Sequence, residues 1–196
     1  MTIILLLAAY LLGSIPFAIV SSRLFGLADP RKYGSGNPGA TNVLRSGNKW
    51  AALLTLVGDC AKGWLAVWAA FALGFGPAQA ALAGLAAFLG HVFSLFLRGK
   101  GGKGVATALG VLAGINGSIA LTALLTWLAV ALITRYSSAA ALAAAAAAPI
   151  AGIVLVDEPV TIGVLLAIAA ILTWRHSENI RRLKNGTEGR IGGKKS

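Results

Sequence analysis

Charge is scarce in this chain and acid is scarcer still: 12% of the 196 residues are charged, with six Asp and Glu against 17 Lys and Arg. A soluble domain of this length has no means of hiding a 57% hydrophobic composition, so lipid must be the solvent for most of the surface. The single cysteine, Cys60, excludes a disulfide within one chain. His91 has no nearby acid or cysteine to complete a metal set, and it reads as a hydrogen-bonded interior residue. The net charge of +11 invites a nucleic-acid reading, but no basic face interleaved with aromatics is present. The first apolar segment lacks the basic n-region of a signal peptide, so it is expected to remain in the mature protein. No convincing internal repeat relates the two halves, which counts against a transporter built from inverted repeats.

What the chain does have is a succession of apolar segments, and the fold class expected is an all-α polytopic membrane protein. The spans predicted are 2–20, 51–73, 78–97, 105–115, 118–133, 139–156 and 160–174, with 1–183 as one membrane domain and 184–196 as a mobile polar tail. Gly13-Ser14-Ile15-Pro16 should bend the first helix, and Pro149 should kink the sixth. Segment 105–115 is short for a span and pairs with 118–133 as a hairpin across Asn116-Gly117. With seven spans and the N-terminus outside, every Lys and Arg of the 17 except Lys62 falls on the cytoplasmic side, as does the C-terminus. Removing the hairpin from the membrane leaves five spans with the same loop orientation. Seven is preferred because 105–115 is as apolar as its partner.

Three polar stretches interrupt this pattern, and the topology places them at one membrane face. The first is Gly34-Ser35-Gly36-Asn37-Pro38-Gly39-Ala40-Thr41-Asn42-Val43-Leu44-Arg45. Asn37 is expected to cap a helix that Pro38 opens, with Arg45 about two turns along. Ser35, Asn37, Thr41 and Asn42 offer neutral donors, and Arg45 a planar fork for phosphate or carboxylate. The second is the basic, glycine-rich loop Gly99-Lys100-Gly101-Gly102-Lys103-Gly104, able to bring its N–H groups close to an oxyanion ahead of a helix opening at Val105. It is not a nucleotide P-loop, because Lys103 is followed by glycine and no glycine sits five residues before Gly102. In the third, continuation of the last helix to Leu183 would put Arg175, His176 and Asn179 on one face. Asp59 and Lys62, three residues apart within a span, neutralise one another and read as site support. Lys100, Lys103, Arg45 and Arg175 thus point to a cytoplasm-facing anionic pocket able to serve a phosphorylated metabolite and a lipid together.

These motifs, with Gly99 to Thr107 and Arg175-His176-Ser177-Glu178-Asn179-Ile180 read as units, closely resemble those of the bacterial acyl-phosphate glycerol-3-phosphate acyltransferases, the PlsY family. Gly13 to Pro16, Asp59, Lys62-Gly63, Leu89-Gly90-His91 and Arg135-Tyr136 also look like family positions. The resemblance runs in order from the first span to about Gly189. It implies transfer of a fatty acyl group from long-chain acyl phosphate to the primary (sn-1) hydroxyl of glycerol 3-phosphate, yielding lysophosphatidic acid and phosphate. It also implies a seven-helix fold in the bacterial inner membrane, an active site near the cytoplasmic face, no metal and no cofactor. A monomer among membrane lipids is expected. The acyltransferase pattern of His, four residues, then Asp is absent, since Phe96 and Arg181 stand five residues after His91 and His176.

An acyl phosphate is an activated anhydride, so placement and charge screening are the main demands. Lys103 and Arg45 are expected to stabilise phosphate charge, with Ser35 and the backbone of Gly101, Gly102 and Gly104 supplying donors. Lys100 adds field, Asn37, Thr41 and Asn42 line the site, and Asn179 and Ser138 orient the reacting groups. His176 is expected to position the substrate rather than to act as an obligatory base, since a substrate phosphate can take the alcohol proton. Assignment of the Gly101-Gly102 loop to glycerol 3-phosphate follows from the resemblance. The strongest competitor from another class is a transporter or binding protein for a phosphorylated metabolite, with a structural membrane protein behind it.

Overall fold

The computed structural model describes residues 1–192; Lys194 and Lys195, expected to meet water or anionic headgroups, lie outside the described residues. Among the described residues all regular structure is helical, and the chain forms two compact units, Met1–Ile115 and the residues from Asn116 onward.

In the first unit, α1 (Thr2–Ser14) and α2 (Phe17–Leu24) make one apolar span interrupted at Ile15-Pro16, where proline withholds a helical donor. A short α3 (Ala40–Leu44) precedes α4 (Lys49–Ala72), which Asn48 caps by accepting from the Ala51 N–H at 2.9 Å. Pro77 opens α5 (Pro77–Val92), and after a 3-10 turn at Leu95–Leu97 the unit ends with α6 (Val105–Ile115). α1 packs on α5, and α4 lies against both α5 and α6. The α4–α6 contact is backbone on backbone: a Cβ on Gly63 would overlap the Thr107 carbonyl, and one on Gly110 the Cys60 carbonyl. Small residues are what allow helices to approach this closely where lipid gives no hydrophobic drive for association.

In the second unit, Asn116 caps α7 (Gly117–Thr134) by accepting from Ser118 N at 2.8 Å. Arg135, in the left-handed conformation at φ 62°, turns the chain into α8 (Ser137–Leu155), which continues on both sides of Pro149. Glu158 then caps α9 (Pro159–Arg175), accepting from Val160 N and Thr161 N, and α10 (Ser177–Lys184) follows. α8 packs between α7 and α9, and α10 returns against α8 and α9. Apolar side chains remain on the outside, with Leu132 and Ile133 80% and 82% exposed, as a lipid-facing surface requires.

Two expectations change here. The last helix does not run straight to Leu183: it breaks at His176, and α9 and α10 meet at 57°. Composition gives the reason, since α9 is apolar while α10 reads Ser-Glu-Asn-Ile-Arg-Arg-Leu-Lys and has no place on the same apolar path. The tail is also tied down as far as Ile191, whose N–H donates to the Arg135 carbonyl at 2.7 Å while Arg135 Nη2 donates to the Ile191 carbonyl at 3.2 Å. Among the described residues five helical stretches are long and apolar enough to cross a bilayer, and six if α9 and α10 count as one bent span. At about 1.5 Å per residue, the 11 residues of α6 reach about 16 Å against about 30 Å of hydrocarbon.

Candidate active site

The first polar stretch folds around Asn42. This side chain is buried, accepts from Ser35 N at 2.8 Å through Oδ1, and donates through Nδ2 to the carbonyls of Pro30 at 2.7 Å and Tyr33 at 3.2 Å. Asn42 therefore organises its own loop, a role not read from the sequence. The expected cap also moves. Gly39, not Asn37, precedes α3, which is five residues long, so Arg45 stands at its C-terminal cap. Thr41 and Arg45 are exposed, Asn37 is half-buried, and the Arg45 stem passes beside Gly34, next to exposed Ser35. At the loop entrance Arg31 hydrogen-bonds Asp29 and holds its carboxyl at about 2.

The glycine loop enters through Arg98 and Gly99, both at positive φ. Gly101 N donates to the Val92 carbonyl at 3.1 Å and Gly102 N to the His91 carbonyl at 3.2 Å. These two N–H groups, expected to serve an oxyanion, are paired inside the protein with carbonyls that the end of α5 leaves without helical partners. Both glycines are buried, and a Cβ on Gly101 would overlap the His91 carbonyl. Beyond them Lys103 is half-buried, Gly104 turns at φ 86°, and α6 begins with its first N–H groups directed back toward the loop. Lys100 is exposed. Pro38 of the first stretch and Gly102 of the second line one small cavity with Ser14, Asp59, Lys62, His91 and Ser94.

Three of the residues lining that cavity form a buried charge cluster. Lys62 Nζ is 2.7 Å from Asp59 Oδ1 and donates to the Ile15 carbonyl at 2.8 Å, where α1 breaks from α2. His91 Nδ1 stands 3.4 Å from the same carboxylate oxygen. Ser94 Oγ donates to the Ser14 carbonyl at 2.6 Å and fixes the chain just before the glycine loop. Nothing in the sequence spacing singled out the Ser14–Ser94 pair, 80 residues apart. Among the described residues no group of three or more His, Cys, Asp or Glu is arranged to hold a metal ion.

The second unit gathers Ser138, His176 and Asn179, all buried. His176 Nδ1 lies 2.8 Å from the Leu172 carbonyl; an oxygen that can only accept puts the proton on Nδ1. Ser138 Oγ and Asn179 Nδ2 both donate to Glu188 Oε1 at 2.6 Å, and Arg182 Nε donates to Oε2 at 2.7 Å. Burial pushes the Glu188 carboxyl up, but these hydrogen bonds and the Arg182 charge outweigh it and hold it below the usual glutamate range. Glu188 was not singled out in the sequence because it lies in the glycine-containing tail. Arg190 closes the strap, its guanidinium 5.5 Å from the Tyr136 ring centre. Arg175 is half-buried over the Trp174 ring at 5.7 Å.

The family model described as glycerol-3-phosphate acyltransferase matches residues 3–186. A glycerol-3-phosphate acyltransferase of Aromatoleum aromaticum is 75% identical over 99% of this chain and 98% of its own length. One from Bordetella pertussis is 57% identical over 97% and 92%. The crystal structure of PlsY (YgiH), an integral membrane glycerol 3-phosphate acyltransferase in its glycerol 3-phosphate form, superposes with a TM-score of 0.92 at 40% identity, covering 97% of this chain and 96% of that one. Its lysophosphatidic acid form gives a TM-score of 0.90 at 39% identity, over 96% and 94%. The order of the three polar motifs, the helical fold that carries them and this likeness along nearly the whole length lead to one assignment: the chain belongs to the PlsY family of glycerol-3-phosphate acyltransferases.

Proposed function

We propose that this protein transfers a fatty acyl group from acyl phosphate to the sn-1 hydroxyl of glycerol 3-phosphate, releasing lysophosphatidic acid and inorganic phosphate. The observation that carries the reading is the meeting of the first and second motifs at Pro38 and Gly102, over a buried charge cluster, in a chain of this family. A loop that is basic, sterically bare and followed by a helix N-terminus suits a phosphate monoester. Because Gly101 and Gly102 give their N–H groups to α5, the donors assigned to that phosphate are the Lys103 ammonium and the first turn of α6, with Lys100 adding field. Arg45, with Ser35, is assigned to the phosphate of the acyl donor, where a planar fork matches two oxygens.

The chemistry asks for little covalent machinery. The glycerol oxygen attacks the acyl carbon, the bond from that carbon to the phosphate oxygen breaks, and the hydroxyl proton leaves with the phosphate. His176 is assigned to orienting the attacking hydroxyl, and Asn179 and Ser138 to steadying the reacting groups. Cationic donors placed where charge develops on the leaving phosphate account for most of the expected acceleration. Asn37, Thr41 and Gly104 are assigned to the substrate-binding set on their place in the first and second motifs.

The topology inferred with this function is seven spans in the bacterial inner membrane, with the N-terminus outside, the chemistry at the cytoplasmic face, and a monomer as the working unit. The apolar character of α9 supports a span beyond the five longest, and α6, apolar but only 11 residues long, is counted as the short member of its hairpin.

The test is product formation from labelled glycerol 3-phosphate by purified protein in detergent, offered long-chain acyl phosphate, acyl-CoA or acyl carrier protein in parallel. Lysophosphatidic acid with acyl phosphate alone is expected. Product only with a thioester overturns the donor. No product from folded protein, together with movement of label across vesicles, moves the assignment to a transporter.

A further inference from the structure

We propose that Asp59 and His91 are positioning residues for the glycine loop: the buried carboxylate fixes the imidazole, and His91, by ring and main-chain carbonyl, holds Gly101-Gly102 in the shape that presents Lys103 and the start of α6. The proposal rests on the assignment of that loop to glycerol 3-phosphate made above.

Mutual neutralisation accounts for the Asp59–Lys62 pair, but it does not account for His91. A further ionisable side chain within a membrane span, 7% exposed, needs its own reason. Its surroundings supply one. Nδ1 stands 3.4 Å from Asp59 Oδ1, so the carboxylate lies against that edge of the ring. The opposite edge, Nε2, lies so close to Gly102 that a Cβ there would overlap it. The His91 carbonyl takes the Gly102 N–H at 3.2 Å, and the next carbonyl, of Val92, takes the Gly101 N–H at 3.1 Å. Two consecutive residues at the end of α5 therefore fix both glycines by backbone, and the ring of one of them also lies against Gly102.

The other arm of the cluster completes the device. Lys62 bridges the same carboxylate oxygen to the Ile15 carbonyl, so Asp59 connects the break in the first span with the loop. Neither Asp59 nor His91 needs to touch substrate for this to matter. A displacement on the order of 1 Å in a group that places a reactant can cost about 10²-fold. The loss belongs in the affinity for the ligand of the loop, not in that for the acyl donor.

The full-length protein in detergent is titrated calorimetrically with glycerol 3-phosphate in the absence of donor, and steady-state kinetics are measured against both substrates. His91→Ala is expected to weaken glycerol 3-phosphate binding and raise its KM by about tenfold or more, leaving the KM for acyl phosphate unchanged. Asp59→Asn alone strands the Lys62 charge in apolar surroundings, so the paired change Asp59→Asn with Lys62→Met removes both charges together. If Asp59 acts through His91, adding His91→Ala to this pair weakens binding no further than His91→Ala does alone. Gly102→Ala presses on the ring from the other side and is expected to weaken the same binding, which keeps a second route open should His91→Ala fail to fold.

Ser21→Ala serves as the structural control: it removes the buried 2.6 Å hydrogen bond to Thr55 in the same unit and should lower Tm with the glycerol 3-phosphate affinity unchanged. Wild-type affinity and KM in folded His91→Ala or Gly102→Ala, with loss confined to kcat or yield, overturns the proposal. Full additivity overturns the part given to Asp59. Wild-type protein that makes lysophosphatidic acid but binds no glycerol 3-phosphate on its own overturns the loop assignment on which the proposal stands.

Discussion

The glycine loop and the Glu188 strap both hold polar motif residues in place, and they do so by opposite means. The loop is held from beneath by charges removed from solvent, Asp59 and Lys62 at 2% and 1% exposure, and by two main-chain hydrogen bonds to the end of α5. The strap is held by one half-buried carboxylate that collects Ser138, Asn179 and Arg182. Opposite charges meet in the first arrangement, whereas two of the three partners in the second are neutral donors. Removing one member of a buried pair leaves the other unpaired at full desolvation cost, whereas removing the Glu188 charge leaves neutral donors and Arg182, which is one-third exposed and can turn to water.

That contrast breaks most sharply at Asp59. Asp59→Ala should destabilise the protein by about 3–5 kcal/mol, seen as a large fall in Tm or as loss of folded protein in detergent. Lys103→Ala separates holding from chemistry: kcat/KM should drop by about 10²–10³-fold while thermal unfolding stays near wild type. Unfolding at much lower temperature would mean that Lys103 belongs to the scaffold. Gly101→Ala meets the His91 carbonyl, and overpacking of this kind costs about 1–3 kcal/mol; its KM for glycerol 3-phosphate should rise as well.

Glu188→Gln gives the smallest effect, about 1–2 kcal/mol, and it carries a pH signature. The folded carboxyl sits below its ordinary value of 4.5, so its contribution is complete above that value and disappears as pH falls through the lower, folded one. The Tm gap between wild type and Glu188→Gln should be widest near neutrality and should close as the solution is acidified below about pH 4.5. A gap that stays constant, or widens in acid, would remove Glu188 as the charged centre of the strap.

Legibility differed between the two regions for physical reasons. Glycines flanking lysines are visible in sequence because bare backbone and basic charge are local properties. What they would do with their N–H groups was not visible, since the carbonyls that take them belong to residues nine and eleven positions earlier and reach them only through a turn at positive φ. Asn37 looked like a helix cap on local grounds, yet α3 begins after Gly39, because Asn42 binds the loop that precedes it and sets where the helix can start. Glu188 carried no local signal at all: its partners are 50, 9 and 6 residues away, and only the 57° break at His176 turns the chain toward the strap.

The sequence by itself determined the solvent of this protein, its all-helical class, the order of its spans and the family, because apolar runs and contiguous motifs are read along the chain. Tertiary structure alone decided which polar groups are engaged and which are presented. Pairing Asp59 with His91, His91 with Gly102 and Ser138 with Glu188 requires residues 32, 11 and 50 positions apart to approach within hydrogen-bond range or packing contact. Burial makes such pairings obligatory, since a polar group left unmatched away from water costs more than the approach does; which partner is chosen depends on how the helices pack.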